Sequence, residues 1–373
     1  MRTERVPLPA PAPGHTRALT VHHFGEGQRK AYLHAGLHAD EWPGMLVLQH
    51  LMTRLIELEA QGQVKERIVV VPYANPVGMN QRLFNYTLGR FDGITGQNFN
   101  RGMAVDSEEL LARVKDQLGD DAVANDQVMR EALHQLAGEA AADYETQALH
   151  RAILGHSLDA NLVFDLHCDD VALPHIFYGD HQRDIGRALG DCLGFPVRLE
   201  EDVRGTVAFD GTHTQPWVKV AEATGKPFDE PCFAVTLELR GSTDVSDELA
   251  RQDAEGILAF LEQQGYVSAS EAQPQPQSMD TVAINVDQVK VVRAEANGLV
   301  VYQRQLGERV EAGDHLADIV LLDRDRPERI AVTAPTSGTL FARTQRHLVY
   351  PGASVAMIAS DERQIAPGKQ LTF

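Results

Sequence analysis

Short apolar runs that do not alternate constrain the fold of this chain most. Ile68-Val69-Val70-Val71 within Glu66–Tyr73, the run Asn161–His167 and the run Cys232–Leu239 put apolar side chains on both faces of a strand. Such strands must be covered on both sides. Helical periodicity lies between them. Leu46, Val47, Leu51, Leu55 and Leu58 recur at helical spacing after Pro43, a residue that suits a first turn. Further helices are read at Glu108–Gln117, Asp126–Ala137, a segment ending near Gly155, Asp184–Leu193, and Glu248–Gln264 capped by Ser246. Strands alternating with helices predict an α/β domain around a mixed, largely parallel sheet.

Other segments are plainer. Residues 1–15, rich in Pro and Ala, are expected to run as an arm across the surface. Arg17–His23 and Arg29–His34 flank Gly25-Glu26-Gly27-Gln28 and read as a hairpin. Ile176–Tyr178 reads as a short strand. Asn80–Gly102 is polar and Gly-bearing without periodicity, and a loop of that length inside a domain is expected to be ordered and functional.

Beyond Gln264 the pattern changes. A polar, Pro-bearing linker, 268–280, separates a catalytic-size domain, 1–267, from a C-terminal all-β domain, 281–373. There Gly298-Leu299-Val300 with Gly313 is echoed by Gly338-Thr339-Leu340 with Gly352. Val310 and Val349 precede the second Gly of each half. The duplication resembles the small sandwich of biotinyl and lipoyl carrier domains. A carrier role fails, because the connecting turn Leu322-Asp323-Arg324-Asp325-Arg326-Pro327 has no Lys to modify. A structural or gating domain is expected.

With 53 acidic against 34 basic residues the net charge is −19, a surface that repels nucleic acid and anionic lipid. Neither partner is expected. Three scattered cysteines imply no disulfide framework. Without an apolar leader or a spanning stretch, a cytoplasmic setting is expected. Self-association is left open.

Chemistry gathers at strand ends, where open α/β sheets deliver functional side chains. One strand leads through Gly36 to His38 and Glu41, a second ends at His167, and a third at Glu238. Two imidazoles and one carboxylate, with water in a fourth position, form a catalytic zinc coordination set. Asp165 shares a strand face with His167 and can fix its tautomer. Cys168, Cys192, Cys232, His175 and Tyr178 are expected as packing residues. The turn residues Asp169 and Asp170 are either solvated or, facing a pocket, selective for a cationic substrate.

Together Gly36-Leu37-His38-Ala39-Asp40-Glu41, Asn98-Phe99-Asn100-Arg101, Asp165-Leu166-His167 and Thr236-Leu237-Glu238-Leu239-Arg240-Gly241 resemble the succinylglutamate desuccinylase/aspartoacylase family. That family belongs to the zinc-carboxypeptidase-like superfamily, and the match spans roughly residues 15–265. The resemblance implies a three-layer domain with a mixed sheet and one zinc ion per chain. It implies His38, Glu41 and His167 as zinc ligands and Glu238 as general base. Asn100 and Arg101 would hold a substrate carboxylate, and Arg90, with Arg82 as a weaker contender, would polarise the scissile carbonyl. Two departures bear on substrate rather than on zinc: Asn98 replaces the usual Asp, and Cys168-Asp169-Asp170 is unusually acidic.

The expected activity is removal of an acyl group from an N-acylated amino acid or a related small amide. A metallocarboxypeptidase or peptide amidase is the alternative enzyme. A non-catalytic metal-binding or scaffold protein is the third reading, disfavoured because a metal store needs no base such as Glu238.

Overall fold

The computed structural model describes residues 1–140, 142–268 and 280–365; the expected linker lies almost wholly outside them. In the first 268 residues strands and helices follow in the order β1 (Arg2–Leu8), β2 (Arg17–Phe24), β3 (Lys30–Ala35), α1 (Pro43–Ala60), β4 (Arg67–Val71), α2 (Pro76–Met79), β5 (Arg82–Leu83), β6 (Tyr86–Thr87), α3 (Ser107–Val114), α4 (Ala122–Glu139), α5 (Glu145–Ser157), β7 (Leu162–Asp169), β8 (Val171–Ala172), β9 (His175–Gly179), α6 (Arg183–Leu193), β10 (Val197–Glu201), α7 (Phe209–Thr224), β11 (Phe233–Gly241) and α8 (Asp247–Gln263). After residue 280 come β12 (Val282–Asn285), β13 (Val289–Arg293), β14 (Gly298–Tyr302), β15 (Arg309–Val310), β16 (His315–Leu321), β17 (Glu328–Thr333), β18 (Gly338–Arg343), β19 (Leu348–Val349) and β20 (Ser354–Ser360).

A nine-stranded sheet, ordered β1-β2-β4-β3-β7-β11-β9-β10-β12, is the frame. Its centre is parallel from β4 through β3 and β7 to β11, so their C-terminal ends share one edge. The apolar runs predicted this centre, and they are buried on both faces. One face carries α1, α6 and α8 over Leu33, Phe164, Val235 and Phe260. The other carries α3, α4, α5 and α7 over Tyr32, Val163, Phe209 and Trp217. The mixed sheet between two helical layers is the expected three-layer arrangement.

Two readings are corrected at the N-terminal edge. Residues 2–8 are not a loose arm: they pair antiparallel with β2 along their whole length, as the outer strand of the sheet. An edge position tolerates Pro7, which has no N–H to donate. Nor do β2 and β3 form a hairpin, since β4 lies between them, antiparallel to β2 and parallel to β3. The Gly-rich segment between them reads as a tight turn, but Gly25 and Gly27 instead let the chain cross close to Glu66, whose backbone a Cβ on either would meet.

The domain boundary also moves. Val282–Asn285, placed by sequence in the small domain, pairs parallel with β10 and covers what would be an open sheet edge. The all-β region proper is described from Val289. It has one sheet ordered β13-β20-β18-β15 and another ordered β17-β16-β14-β19 around Val300, Ile319, Leu340 and Ile358. The sequence echo has a structural basis: a Cβ on Gly298 would sit 2.3 Å from the Val320 carbonyl oxygen, and one on Gly338 2.2 Å from that of Ala359. Each half needs a residue without a side chain where one strand crosses close against the next. The two regions interlock, because β8 pairs with β18.

Candidate active site

The shared edge of β3, β7 and β11 opens into a cleft of about 200 Å³. His38, Glu41, Arg90, Asn100, Arg101, His167 and Glu238 all line it. Strand register places two of them side by side, since Glu238 of β11 lies opposite His167 of β7. His38 and Glu41 follow the end of β3, on the turn that leads into α1.

Three donor groups converge. His38 Nδ1 lies 2.9 Å from Glu41 Oε1, and His167 Nδ1 lies 2.6 Å from Glu41 Oε2. All three side chains are buried. The remaining ring nitrogens are occupied behind them. His38 Nε2 sits 2.9 Å from Asn98 Oδ1, and His167 Nε2 sits 2.8 Å from Asp165 Oδ1. Both of those oxygens accept from a ring N–H, an arrangement in which each Nε2 carries the proton and each Nδ1 turns a lone pair toward the Glu41 carboxylate. Two lone pairs facing a buried anion repel unless a cation lies between them, and a metal ion is the cation that two nitrogens and a carboxylate select. The residues therefore fit a metal. With none bound, the alternative is a proton: burial works against it, yet Asp165 and Glu41 together hold His167 well above the ordinary imidazole range. Glu41 is held well below the usual carboxylate range, its burial outweighed by His167 and His38.

Behind the donors stands a second ring of bonds. Asp165 Oδ1 also accepts from His34 Nε2 at 2.7 Å, and Tyr32 Oη lies 3.1 Å from His34 Nδ1. His34 and Asp165 are register partners on β3 and β7, and both are fully buried. Sequence reasoning passed over His34, although a lone His inside an otherwise apolar buried strand was a signal for such a partner.

Asn100 lines the cleft beside Arg101. It is 6% exposed, and its amide is already committed. Oδ1 accepts from the Phe209 N–H at 2.8 Å, at the start of α7, and Nδ2 donates to Asp165 Oδ2 at 3.5 Å. It orders the floor of the cleft, and Arg101 alone of the pair extends a charged group. Of the two arginine contenders, Arg90 lines the cleft, with NH1 3.2 Å from His38 Nδ1; Arg82 lies on the exposed hairpin strand β5 and does not line it. Gly89 makes that reach feasible. At φ +50 it packs on Asp40, whose backbone nitrogen a Cβ would meet at 2.3 Å, and its carbonyl accepts from the Ala39 N–H at 3.0 Å.

Asp92 ties down the loop that carries these groups. It accepts from Ile94 N–H, Thr95 Oγ1, Thr146 Oγ1 and Gln81 Nε2 at 2.9–3.1 Å. His150 Nε2 lies 2.9 Å from the Phe99 carbonyl oxygen and fixes the segment before Asn100.

Glu238 stands apart from the donors. Burial, reinforced by the nearby Glu41 and Asp169 carboxylates and opposed by His167, pushes it up to about 8. A bulge in the β11–β7 pairing follows it, where Arg240 adopts φ +65. That left-handed residue is held by a two-pronged ion pair to Asp253 of α8, at 2.7 and 2.9 Å.

The outer wall was not foreseen. Glu201, Asp202, Asp210 and Thr236 line it with Asn285, Val286 and Asp287. Burial and the Asp210 charge hold Glu201 well above the usual carboxylate range, with Glu201 bonded to Asp210. Asp169 and Asp170, expected either in solvent or in the pocket, do not line the cleft. Asp170 instead accepts from Thr344 Oγ1 at 3.0 Å and so holds the β region. Cys168, Cys192 and Cys232 are buried and free, and His175 and Tyr178 are core.

The chain belongs to the succinylglutamate desuccinylase/aspartoacylase family, whose catalytic-domain model matches residues 27–263. A family protein from Shewanella amazonensis SB2B superposes with a TM-score of 0.83 at 26% identity, covering 97% of this chain and 99% of that one. Another from Shewanella frigidimarina NCIMB 400 gives 0.83 at 26% identity over 96% and 97%. The product-bound ectoine utilization protein EutE (DoeB) from Ruegeria pomeroyi shares the fold, with a TM-score of 0.65 at 19% identity over 95% and 94%. No curated protein matches the chain. Among the described residues no helix is long and apolar enough to cross a membrane.

Proposed function

We propose that the protein is a zinc-dependent amidohydrolase that removes the acyl group from an N-acylated amino acid or a related small carboxylate-bearing amide. The observation that carries this reading is the convergence of His38 Nδ1 and His167 Nδ1 on the Glu41 carboxylate. A zinc ion held there supplies a Lewis acid for the amide carbonyl and acidifies a water. The chain's own residues do the rest. Asp165 and Asn98 keep the two imidazoles in the ligating tautomer. Glu238 takes the proton of the attacking water and delivers it to the departing amine. Arg90 donates to the carbonyl oxygen as negative charge develops on it, and losing one such donor typically costs about 10²–10³ in rate. Arg101 takes the substrate carboxylate through a planar fork that Lys cannot reproduce.

A metallocarboxypeptidase reading shares the same donors, and no observation favours it over the deacylase. The experiment is a hydrolysis screen of N-acetyl, N-succinyl and N-formyl amino acids, including diamino acids, beside short peptides. Release of amine from at least one N-acyl amino acid is expected. Cleavage confined to peptides would overturn the deacylase reading in favour of a peptidase.

A further inference from the structure

Far from the cleft, a second cluster repeats the same donor set. Glu4 on β1, His23 on β2 and His156 in the last turn of α5 bring ligating atoms within 4.8 Å of one another. Strand register builds half of it. Arg2 is the cross-strand partner of His23, so Glu4, two residues on, stands on the same face as that imidazole. Helix α5 lies across this face and supplies His156.

The contacts inside the cluster are incomplete as they stand. His23 Nε2 lies 3.0 Å from Glu4 Oε2, a good hydrogen bond. His156 Nε2 lies 3.9 Å from Glu4 Oε1, which is too long for one. Yet the His156 side chain is only 19% exposed, and among the described residues it makes no hydrogen bond. Its ring meets that of His23 edge-on with centroids 5.7 Å apart. Burial holds both imidazoles below their ordinary pKa, so at neutral pH each offers a lone pair. A carboxylate oxygen just beyond hydrogen-bond reach of an imidazole nitrogen is where a shared ion would sit.

We propose that Glu4, His23 and His156 bind a second divalent transition-metal ion of the zinc type, with water completing its coordination. Two nitrogen donors select against magnesium and calcium, which take oxygen shells. The competing cation is Arg2, whose NH1 lies 3.2 Å from Glu4 Oε2; its side chain is 67% exposed and free to swing away. Occupancy ties the outer strand of the sheet to the helix above it. It makes the N-terminal edge of the domain metal-stabilised, independently of catalysis.

The test is zinc stoichiometry on the full chain, stripped with a chelator and titrated calorimetrically, with bound metal counted after dialysis. The wild type is expected to take two equivalents, the second at least about tenfold weaker because its donors are more exposed to water than those of the cleft. His156→Gln is expected to take one equivalent and keep full hydrolytic activity. His22→Gln, at a neighbouring imidazole bonded to Thr3, keeps two. His38→Ala keeps the weaker site and loses the tighter, so failure of the catalytic reading shows separately from failure of this one. If His156→Gln does not fold, His23→Gln takes its place. A wild type that saturates at one equivalent which His38→Ala abolishes, or a folded His156→Gln or His23→Gln that binds as much as the wild type, overturns the proposal.

Discussion

At the residue scale, the proposed roles of Glu238 and Arg101 can each be removed by a single substitution. Glu238→Gln keeps the shape and deletes the proton acceptor; kcat should fall by at least about 10² while zinc content by elemental analysis stays unchanged. Undiminished turnover would remove Glu238 from the role. Arg101→Ala should raise KM for carboxylate-bearing substrates by about tenfold or more and leave kcat nearer the wild type, because it removes binding rather than chemistry. Glu201 gives a pH signature. Its pKa is raised by burial and by Asp210, so the folded state keeps a proton that the unfolded chain releases above about 4.5. Its contribution to stability is full below that value and is lost as pH rises toward the folded pKa, at up to about 1.4 kcal/mol per pH unit. Urea unfolding at pH 5 and pH 8 should show a smaller loss for Glu201→Gln than for the wild type.

At the element scale, legibility followed periodicity. The central strands and most helices were readable because burial on two faces, or on one stripe, leaves a pattern in the sequence. His38, Glu41, His167 and Glu238 were readable because they stand where those strands end. Helix α7 was missed for physical reasons. Pro216 lies inside it, and its buried face includes Asp210, Thr212, His213 and Thr214 in place of an apolar stripe. His213 is satisfied within the fold, with Nδ1 2.8 Å from the Phe209 carbonyl oxygen and Nε2 2.8 Å from Ser157 Oγ. The bonds that hold the Asn100 amide were not legible, because a sequence motif does not say which atoms an amide commits within the fold. The bulge after Glu238 was equally invisible, since a left-handed Arg240 has no sequence signature. Its ion pair to Asp253 is buried, so Asp253→Ala should destabilise the fold by about 3–5 kcal/mol in denaturant unfolding. It should also lower kcat by letting the Glu238 segment shift. Wild-type stability in that variant would show that the bulge stands without the pair.

At the scale of the whole molecule, the two regions are less separable than their compositions imply. The linker composition marks a change of character near residue 268, yet β12 beyond it completes the large sheet, and Asn285, Val286 and Asp287 wall the cleft. The β8–β18 pairing and the Asp170–Thr344 bond fasten the regions a second time. A chain truncated at residue 267 should therefore expose the β10 edge, self-associate in size-exclusion chromatography and lose most of its activity. A monomeric, fully active truncation would show that the β region is a passive appendage. The acidic surface, with net charge −19, and the small cleft both suit a small-molecule substrate. What joins residue, element and molecule is the proposed metal site, where two strand ends and one turn meet. The most direct test is hydrolysis of an N-acyl amino acid by protein stripped of metal to below a tenth of an equivalent, as verified by elemental analysis. Activity should vanish with the metal and return on adding about one equivalent of zinc; full activity in the stripped protein would contradict the account.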